Sequence, residues 1–234
     1  MFTKRIAAVF ILIALLAFSP APPSRISLSM ETKILKKGQV VTIKAEVYYL
    51  FDQGKMITRY LTPSEYLFIS NNKGEASVYY PASNQVAMKQ AMEYDTEKTM
   101  LYYFLADKLN DLGLKDLGFK LTDTRFEEGL IISTWEPATA FNDVYSKVEL
   151  VHENDLPIYI AYFNVKGKLI QKIYYYNYEF HQDLALPHKV LEYQYLQDGD
   201  SIMNRIAYSN VKTGSDAQNE IFNFKIPANA RIIK

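Results

Sequence analysis

Apolar and polar residues alternate along much of this chain, and the alternation is clearest between Val41 and Tyr49. Every second residue of that segment is apolar, and Thr42, Lys44 and Glu46 lie between them. A period of two places successive side chains on opposite faces of a strand, so the segment is predicted to be a strand with one buried face. The chain also has 19 tyrosines and 13 phenylalanines but one tryptophan, a composition that favours β-sheet.

Further segments with strand character follow at short intervals, separated by turn sequences such as Asn71–Gly74 and Asp198–Asp200. The other candidate strands are Met56–Leu61, Tyr66–Ser70, Glu75–Tyr80, Gln85–Lys89, Lys120–Thr124, Leu130–Trp135, Ser146–His152, Leu156–Asn164, Leu169–Tyr178, Lys189–Leu196, Ser201–Asn210 and Ile221–Lys225. Connections this short predict that consecutive strands pair with one another. We expect a mainly β (α+β) domain, built as a single curled antiparallel sheet that forms an incomplete, half-open barrel.

One segment near the middle of the chain has a helical period instead. Between Thr96 and Leu109 the apolar residues fall three or four positions apart, as on one face of a helix. Asp95 or Thr96 is the expected N-cap, and a second short helix is expected between Gly113 and Gly118. We therefore expect a helical insertion between two groups of strands.

Several candidate strands lack a polar face, among them Tyr66–Ile69 and Ile173–Tyr176. Both faces of such strands must be covered or must line a cavity. One helical segment can cover only part of so large a sheet. Two interpretations follow: an apolar concavity partly closed by the helix as a lid, or a plain packed core with a tyrosine-rich outer surface.

Residues 1–21 have the pattern of a secretory signal peptide. Lys4 and Arg5 precede an unbroken apolar run, Ile6–Phe18, and prolines follow it. The run is shorter than the roughly 20 residues that span a bilayer, although an uncleaved N-terminal membrane anchor is the alternative. After the signal we expect a short irregular segment at residues 22–39 and a β domain at residues 40–234.

Composition and motifs exclude several function classes. The chain has no cysteine, which excludes disulfides and thiolate metal sites. Its 26 basic and 26 acidic residues leave no basic excess for nucleic acid. His152, His181 and His188 have no local metal-ligand spacing, and neither G-x-S-x-G nor a glycine-rich phosphate loop occurs. We expect no catalytic residue, metal, cofactor or nucleic-acid partner.

The order of the pieces carries a resemblance to a known family. Thr62–Glu65 precedes a strand, the Asn71–Gly74 hairpin follows, and Val78–Pro81 leads to a glutamine. An apolar helix comes next, and the chain closes with Phe222–Ala230, whose aromatic residues precede a proline. Over about residues 40 to 234 this resembles the LolA family of periplasmic lipoprotein carriers. The Arg-Pro that enters the second strand in those carriers is absent, because that turn reads Asp52–Lys55 here.

The resemblance implies a periplasmic, monomeric carrier that shields the acyl chains of lipoproteins, or a related lipid, during transport to the outer membrane. Implied partners are an inner-membrane release complex and an outer-membrane receiver. The expected cavity wall is Val47, Tyr49, Tyr60, Leu67, Ile69, Val78 and Tyr80. The expected lid is Met100, Leu101, Phe104 and Leu105.

Two other functions remain open at the level of sequence. A related fold serves in envelope-stress proteins of the RseB type, so a lipid-sensing regulatory module is the second interpretation. It predicts a protein complex and an exposed edge strand that is available for pairing. An envelope enzyme with unrecognised carboxylate chemistry is the third, and it predicts a polar cleft with a strongly perturbed acid.

Overall fold

In the part of the chain that the structure describes, the fold is a single sheet of 14 strands with one short α-helix. The computed structural model describes residues 23–91 and 94–233, so the predicted signal peptide at residues 1–21 lies outside the described residues. The strands are β1 (Arg25–Lys36), β2 (Gln39–Leu50), β3 (Lys55–Thr62), β4 (Tyr66–Ser70), β5 (Glu75–Tyr80), β6 (Gln85–Gln90), β7 (Lys120–Glu127), β8 (Leu130–Glu136), β9 (Tyr145–Glu153), β10 (Leu156–Asn164), β11 (Leu169–His181), β12 (Leu184–Tyr195), β13 (Ser201–Thr213) and β14 (Arg231–Ile233). The helix is α1 (Met100–Leu105).

Two meanders make up the sheet. Strands β1 to β6 are consecutive neighbours, as are β7 to β13, and antiparallel pairing of β1 with β13 joins the two halves. Strand β14 adds to β6 in the parallel direction. The chain between β6 and β7 therefore crosses from one end of the sheet to the other, and it carries α1.

Asparagine side chains shape the hairpin turns. The Asn71 side chain accepts hydrogen bonds from the backbone N–H groups of Lys73 and Glu75 between β4 and β5. Asn164 does the same for Lys166 and Lys168 between β10 and β11. Because such a side chain mimics a backbone turn, it holds the flanking strands in register.

The sheet curls around the segment that joins its two halves. Tyr102 of α1 contacts Tyr49 on β2 with ring centroids 6.0 Å apart, and Phe104 contacts Tyr175 on β11 at 5.1 Å. In sheet order β1, β13 and β12 lie between β2 and β11. In a flat sheet β2 and β11 would therefore lie about 19 Å apart. One short helix can contact both only because the sheet is curved, so the expected half-open barrel is confirmed.

Each face of the sheet has its own apolar cluster. The inner cluster contains Val47, Trp135 and Tyr175 together with the helix. The outer cluster contains Tyr48 and Ile57, and it is covered by the C-terminal segment after β13. Strands β2 and β3 contribute to both clusters and are therefore covered on both faces.

Two expectations about the ends of the chain are wrong, and one strand was not predicted. Residues 22–39 are not irregular, since 12 of them form β1, which pairs with both β2 and β13. Segment Ile221–Lys225 is not a strand: Glu220–Asn223 is a 3₁₀ turn whose N-cap, Asn219, accepts a hydrogen bond from the Ile221 N–H. Strand β14 was not foreseen. The β domain thus begins before residue 40.

The helical insertion is also shorter than its sequence period suggests. The predicted helix over Thr96–Leu109 is realised as a 3₁₀ turn at Thr96–Lys98 followed by the six residues of α1. Asp107 has a φ of +54°, a left-handed conformation that ends a helix. No second helix forms between Gly113 and Gly118, where the chain makes hydrogen-bonded turns instead.

Candidate functional site

The inner face of the sheet is occupied by the inserted segment, which we define as residues 94–119. The helix buries Leu101, Phe104 and Leu105 against that face. Met100 is half-buried, and its sulfur accepts a hydrogen bond of 3.1 Å from the Tyr175 hydroxyl. The four residues expected to form a lid therefore pack together on the inner face.

Hydrogen bonds hold both ends of the helix to neighbouring hairpins. On the N-terminal side, the fully buried Thr96 donates from its hydroxyl to the Gly54 carbonyl at 2.8 Å. Thr99 is the N-cap, because its hydroxyl accepts from the Tyr102 N–H at 3.2 Å. On the C-terminal side, the buried His152 ring lies 2.8 Å from the Leu109 carbonyl oxygen. The helix is thus tethered at two points, and the apolar contacts between them hold it down.

Beyond the helix, the inner face carries an aromatic row formed by Tyr60, Tyr66 and Tyr80. Tyr60 and Tyr66 stack with ring centroids 4.4 Å apart, and Tyr80 lies 6.0 Å from Tyr66. The first two rings are half-buried and Tyr80 is exposed. This row is an apolar surface of the inner face that the helix leaves partly open to solvent.

A second opening lies on the other side of the helix. A pocket of about 210 Å³ separates the loop after α1 from strands β7 to β9, and Leu121, Ile131 and Trp135 are among its lining residues. The inserted segment therefore has solvent-accessible inner face on both sides of it.

Strand register decides which predicted wall residues share a face. Val47 pairs with Thr58, Thr58 with Phe68, and Phe68 with Val78, so these residues form one row on the inner face. Tyr49 belongs to the inner cluster. With Tyr60 and Tyr80 in the aromatic row, five residues of the predicted wall lie on the inner face: Val47, Tyr49, Tyr60, Val78 and Tyr80.

Leu67 and Ile69 were wrongly placed in that wall. Leu67 pairs with Tyr79 and Ile69 with Ile57, and all four belong to or pack against the outer cluster. The alternating residues Tyr66 and Phe68 are the ones that face inward. Since both faces of β4 are apolar, its sequence gave no sign of which residues point to which side.

Burial keeps the tyrosine hydroxyls of the inner face neutral. It raises the pKa of the Tyr175 hydroxyl far above the ordinary value, and it also raises the pKa of the buried Tyr208 and of the half-buried Tyr162. Burial also raises the pKa of Tyr60 and Tyr66 in the aromatic row. These hydroxyls stay neutral at physiological pH, so the tyrosines of this face offer apolar rings and neutral hydrogen-bond donors.

Arg59 of β3 lies on the outer face of the sheet. Arg59 donates to the Glu65 carboxylate, with Nη2 and Oε1 2.6 Å apart, and it lies 3.9 Å from Glu46. It pairs across the strands with Leu67 of the outer face. This arginine therefore neutralises acids on the outer surface and does not hold the helix.

Within residues 23–91 and 94–233 there is no helix of the length and apolarity that a membrane span requires.

Several solved structures share this architecture. A LolA superfamily protein from Nitrosomonas europaea matches with a TM-score of 0.57 and 13% identity over 86% of this chain and 91% of its own. A DUF1329 family protein from Desulfovibrio piger matches with a TM-score of 0.58 and 15% identity over 91% of this chain and 93% of its own. A putative outer membrane lipoprotein-sorting protein domain from Vibrio parahaemolyticus matches with a TM-score of 0.57 and 16% identity over 91% and 94%.

No family model matches the sequence, and no curated protein matches it either. At identities this low the shared feature is the fold. The expected likeness to the LolA family is thereby confirmed as a LolA-like fold in a divergent sequence. None of the three structural relatives is described as an enzyme.

Proposed function

We propose that the protein is a periplasmic carrier that binds the acyl chains of lipoproteins, or a related lipid, on its inner face. The observation that carries this proposal is an apolar helix seated in a half-open sheet beside a partly open aromatic row. An acyl chain gains about 0.8 kcal/mol for each CH₂ taken out of water. Neutral rings and aliphatic side chains can supply that burial without a specific polar contact.

The helix also explains how such a carrier would release its cargo. Leu101, Phe104 and Leu105 fill part of the inner face themselves. A bound acyl chain must displace part of this packing. Its binding free energy is therefore the gain from burying the chain minus the loss from exposing the displaced side chains. Return of the helix then favours release to a receiver. The handover partners would be an inner-membrane release complex and an outer-membrane receiver.

A charge on the open part of the inner face should weaken binding. We expect Val78→Glu to bind a triacylated lipopeptide at least about tenfold more weakly than the unsubstituted protein, because a carboxylate would meet the alkyl chain in place of a methyl group. Val78 is only half-buried, so the fold should tolerate the change. The measurement is a binding titration with a fluorescent lipopeptide, supported by native mass spectrometry and lipid extraction.

The matched control is Ser77→Glu, the neighbouring half-buried residue on the outer side of β5. It adds the same charge to the same strand and should leave binding unchanged. Equal losses in the two variants, or a protein that neither carries lipid on purification nor binds added lipopeptide, would refute the carrier. A clean lipid-free mass together with a stable envelope protein complex would favour the sensing module instead.

A further inference from the structure

Two histidines of the β11–β12 hairpin bring their imidazole rings together. The Nε2 atoms of His181 and His188 lie 3.0 Å apart, and the rings are nearly parallel, with an interplanar angle of 16°. Glu179 completes the group, in which one potential ligand atom from each residue lies within 4.8 Å of the others. Seven positions separate the histidines in the chain, so local spacing did not reveal them. The hairpin, which turns after His181, brings them together.

The spacing of this group suits a metal ion. Two nitrogen ligands at 2.0–2.1 Å from a tetrahedral Zn²⁺ stand about 3.3 Å apart, close to the separation of the two Nε2 atoms. The Glu179 carboxylate lies 3.4 Å from His188 Nδ1. A carboxylate at that ring nitrogen is the usual partner that orients a metal-ligating histidine.

We propose that His181 and His188, with Glu179 as orienting group or third ligand, bind a divalent transition metal ion of the zinc type. Two imidazoles and one carboxylate are a ligand set that Zn²⁺ accepts, with water in the remaining position. Leu184 and Leu186 of β12, within four residues of His188, are buried in the inner cluster with the helix. The ion would therefore clip β11 to β12 beside the seat of the helix.

The test is a calorimetric titration of the chelator-treated protein with Zn²⁺ alone, paired with thermal unfolding. We expect one equivalent to bind and to raise the unfolding temperature, since an ion that binds only the folded state stabilises it. Removing both ligands with His181→Gln and His188→Gln should abolish the response. Glu179→Gln should weaken binding about 10- to 100-fold.

His152, the remaining histidine, is buried and contacts the Leu109 carbonyl. The double variant keeps this histidine, so any Zn²⁺ that the double variant still binds measures nonspecific uptake. The double variant should unfold like the metal-free protein, which separates loss of binding from loss of folding. Zn²⁺ uptake that is not saturable, or that the double variant retains, would overturn the site. Failure of lipopeptide binding in the same preparations would bear on the carrier proposal and not on this one.

An independent observation concerns the free edge of the sheet at β7. Among the described residues this strand pairs only with β8, and all eight of its residues are exposed. Leu121 and Phe126 are 50% and 76% exposed. Both lie on the inner face, because they pair with Trp135 and Ile131 and a bulge at Thr122 corrects for their odd spacing. Such an edge is a template for pairing with another strand.

The sequence of β7 is complementary to itself in the antiparallel direction. We place the twofold axis of the pair of strands at Thr124 and keep the Thr122 bulge that β7 makes against β8. The two residues of each facing pair then lie on the same side of the sheet. The facing pairs are Lys120 with Glu127, Leu121 with Phe126, Asp123 with Arg125, and Thr124 with its own copy. Opposite charges and apolar side chains that face each other in this way stabilise strand pairs.

We infer that the occupant of this edge is a second copy of the chain, in place of the monomer expected from the sequence. In the single chain Arg125 bonds along the strand to Glu127, with Nε and Oε1 2.9 Å apart. That bond shows the two side chains on one face, and both would gain a partner of opposite charge in the dimer. The dimer would extend the sheet through both molecules and leave the aromatic row uncovered.

Light scattering of the purified protein over a range of concentrations tests this pairing. We expect a dimer that Asp123→Arg dissociates, because that change sets two arginines opposite each other on both sides of the axis. Adding Arg125→Asp to it exchanges the charges and should restore the dimer. A protein that is monomeric at every concentration, or a dimer that Asp123→Arg leaves intact, would overturn the inference.

Discussion

Replacing Phe104 with alanine should lower the free energy of unfolding by about 3–5 kcal/mol. The side chain is 2% exposed and contacts the rings of Tyr175 and Tyr178, whose centroids lie 5.1 and 6.3 Å away. Truncation removes the largest contact between α1 and the β11 side of the sheet and leaves a cavity beneath the helix. Urea unfolding measures the change as a lower midpoint with an unchanged slope.

Phe180→Ala is the matched control. It deletes the same atoms from a side chain that is 69% exposed, and a surface change of this kind is expected to stay within about 0.5 kcal/mol. A cost for Phe104→Ala as small as that of the control would mean that the helix is not packed on the sheet in the resting protein. The displacement step of the proposed carrier would then have nothing to displace.

The strands that sequence predicts best are those bounded by strong turn residues. Tyr66–Ser70, Glu75–Tyr80 and Leu156–Asn164 have the bounds that their apolar residues and flanking turns predict. In these hairpins the register is decided locally, because asparagine side chains hold the turns. Short connections then imply the meander and, with so many apolar strands, the curl.

What escaped prediction depends on contacts between distant parts of the chain. Strand β1 pairs with β13, so that Ile26 lies opposite Thr213, and its serines and lysines do not mark a strand by themselves. The segment after β13 covers the outer face, where Phe222 packs on Tyr48 with ring centroids 5.4 Å apart. Because that segment covers the outer face, β4 has apolar residues on both of its faces. Its sequence therefore does not show which of its residues face inward.

The residues of the candidate sites show the same division. Alternation correctly groups Val47 with Tyr49, since one face of β2 is marked by polar neighbours. It cannot separate Leu67 from Tyr66, and it cannot bring His181 to His188. To separate Leu67 from Tyr66, one must know which segment packs on each face of β4. To bring the two histidines together, one must know that β11 and β12 pair across a turn.

Replacing Gly113 with alanine should lower the free energy of unfolding by about 2–5 kcal/mol, the sum of two separate costs. Gly113 has a φ of +77°, and a Cβ there would lie 2.2 Å from the Tyr103 ring. The left-handed backbone alone costs a side-chain-bearing residue about 1–2 kcal/mol, and forcing the ring aside adds about 1–3 kcal/mol. Tyr103 is buried at the base of the helix, so it has little room to move.

Gly129→Ala separates those two costs. Gly129 has a φ of +84° in the β7–β8 turn, with no atom within 4 Å of the added carbon, so this change should show the backbone cost alone. The excess for Gly113→Ala, measured by urea unfolding of both variants, is then the cost of keeping the loop apart from Tyr103. An excess near zero would show that the loop can move away from the helix without loss. A clear excess would show that the close contact at Gly113 holds the helix in place on the sheet. In the proposed carrier, this contact would add to the free energy that an acyl chain needs to displace the helix.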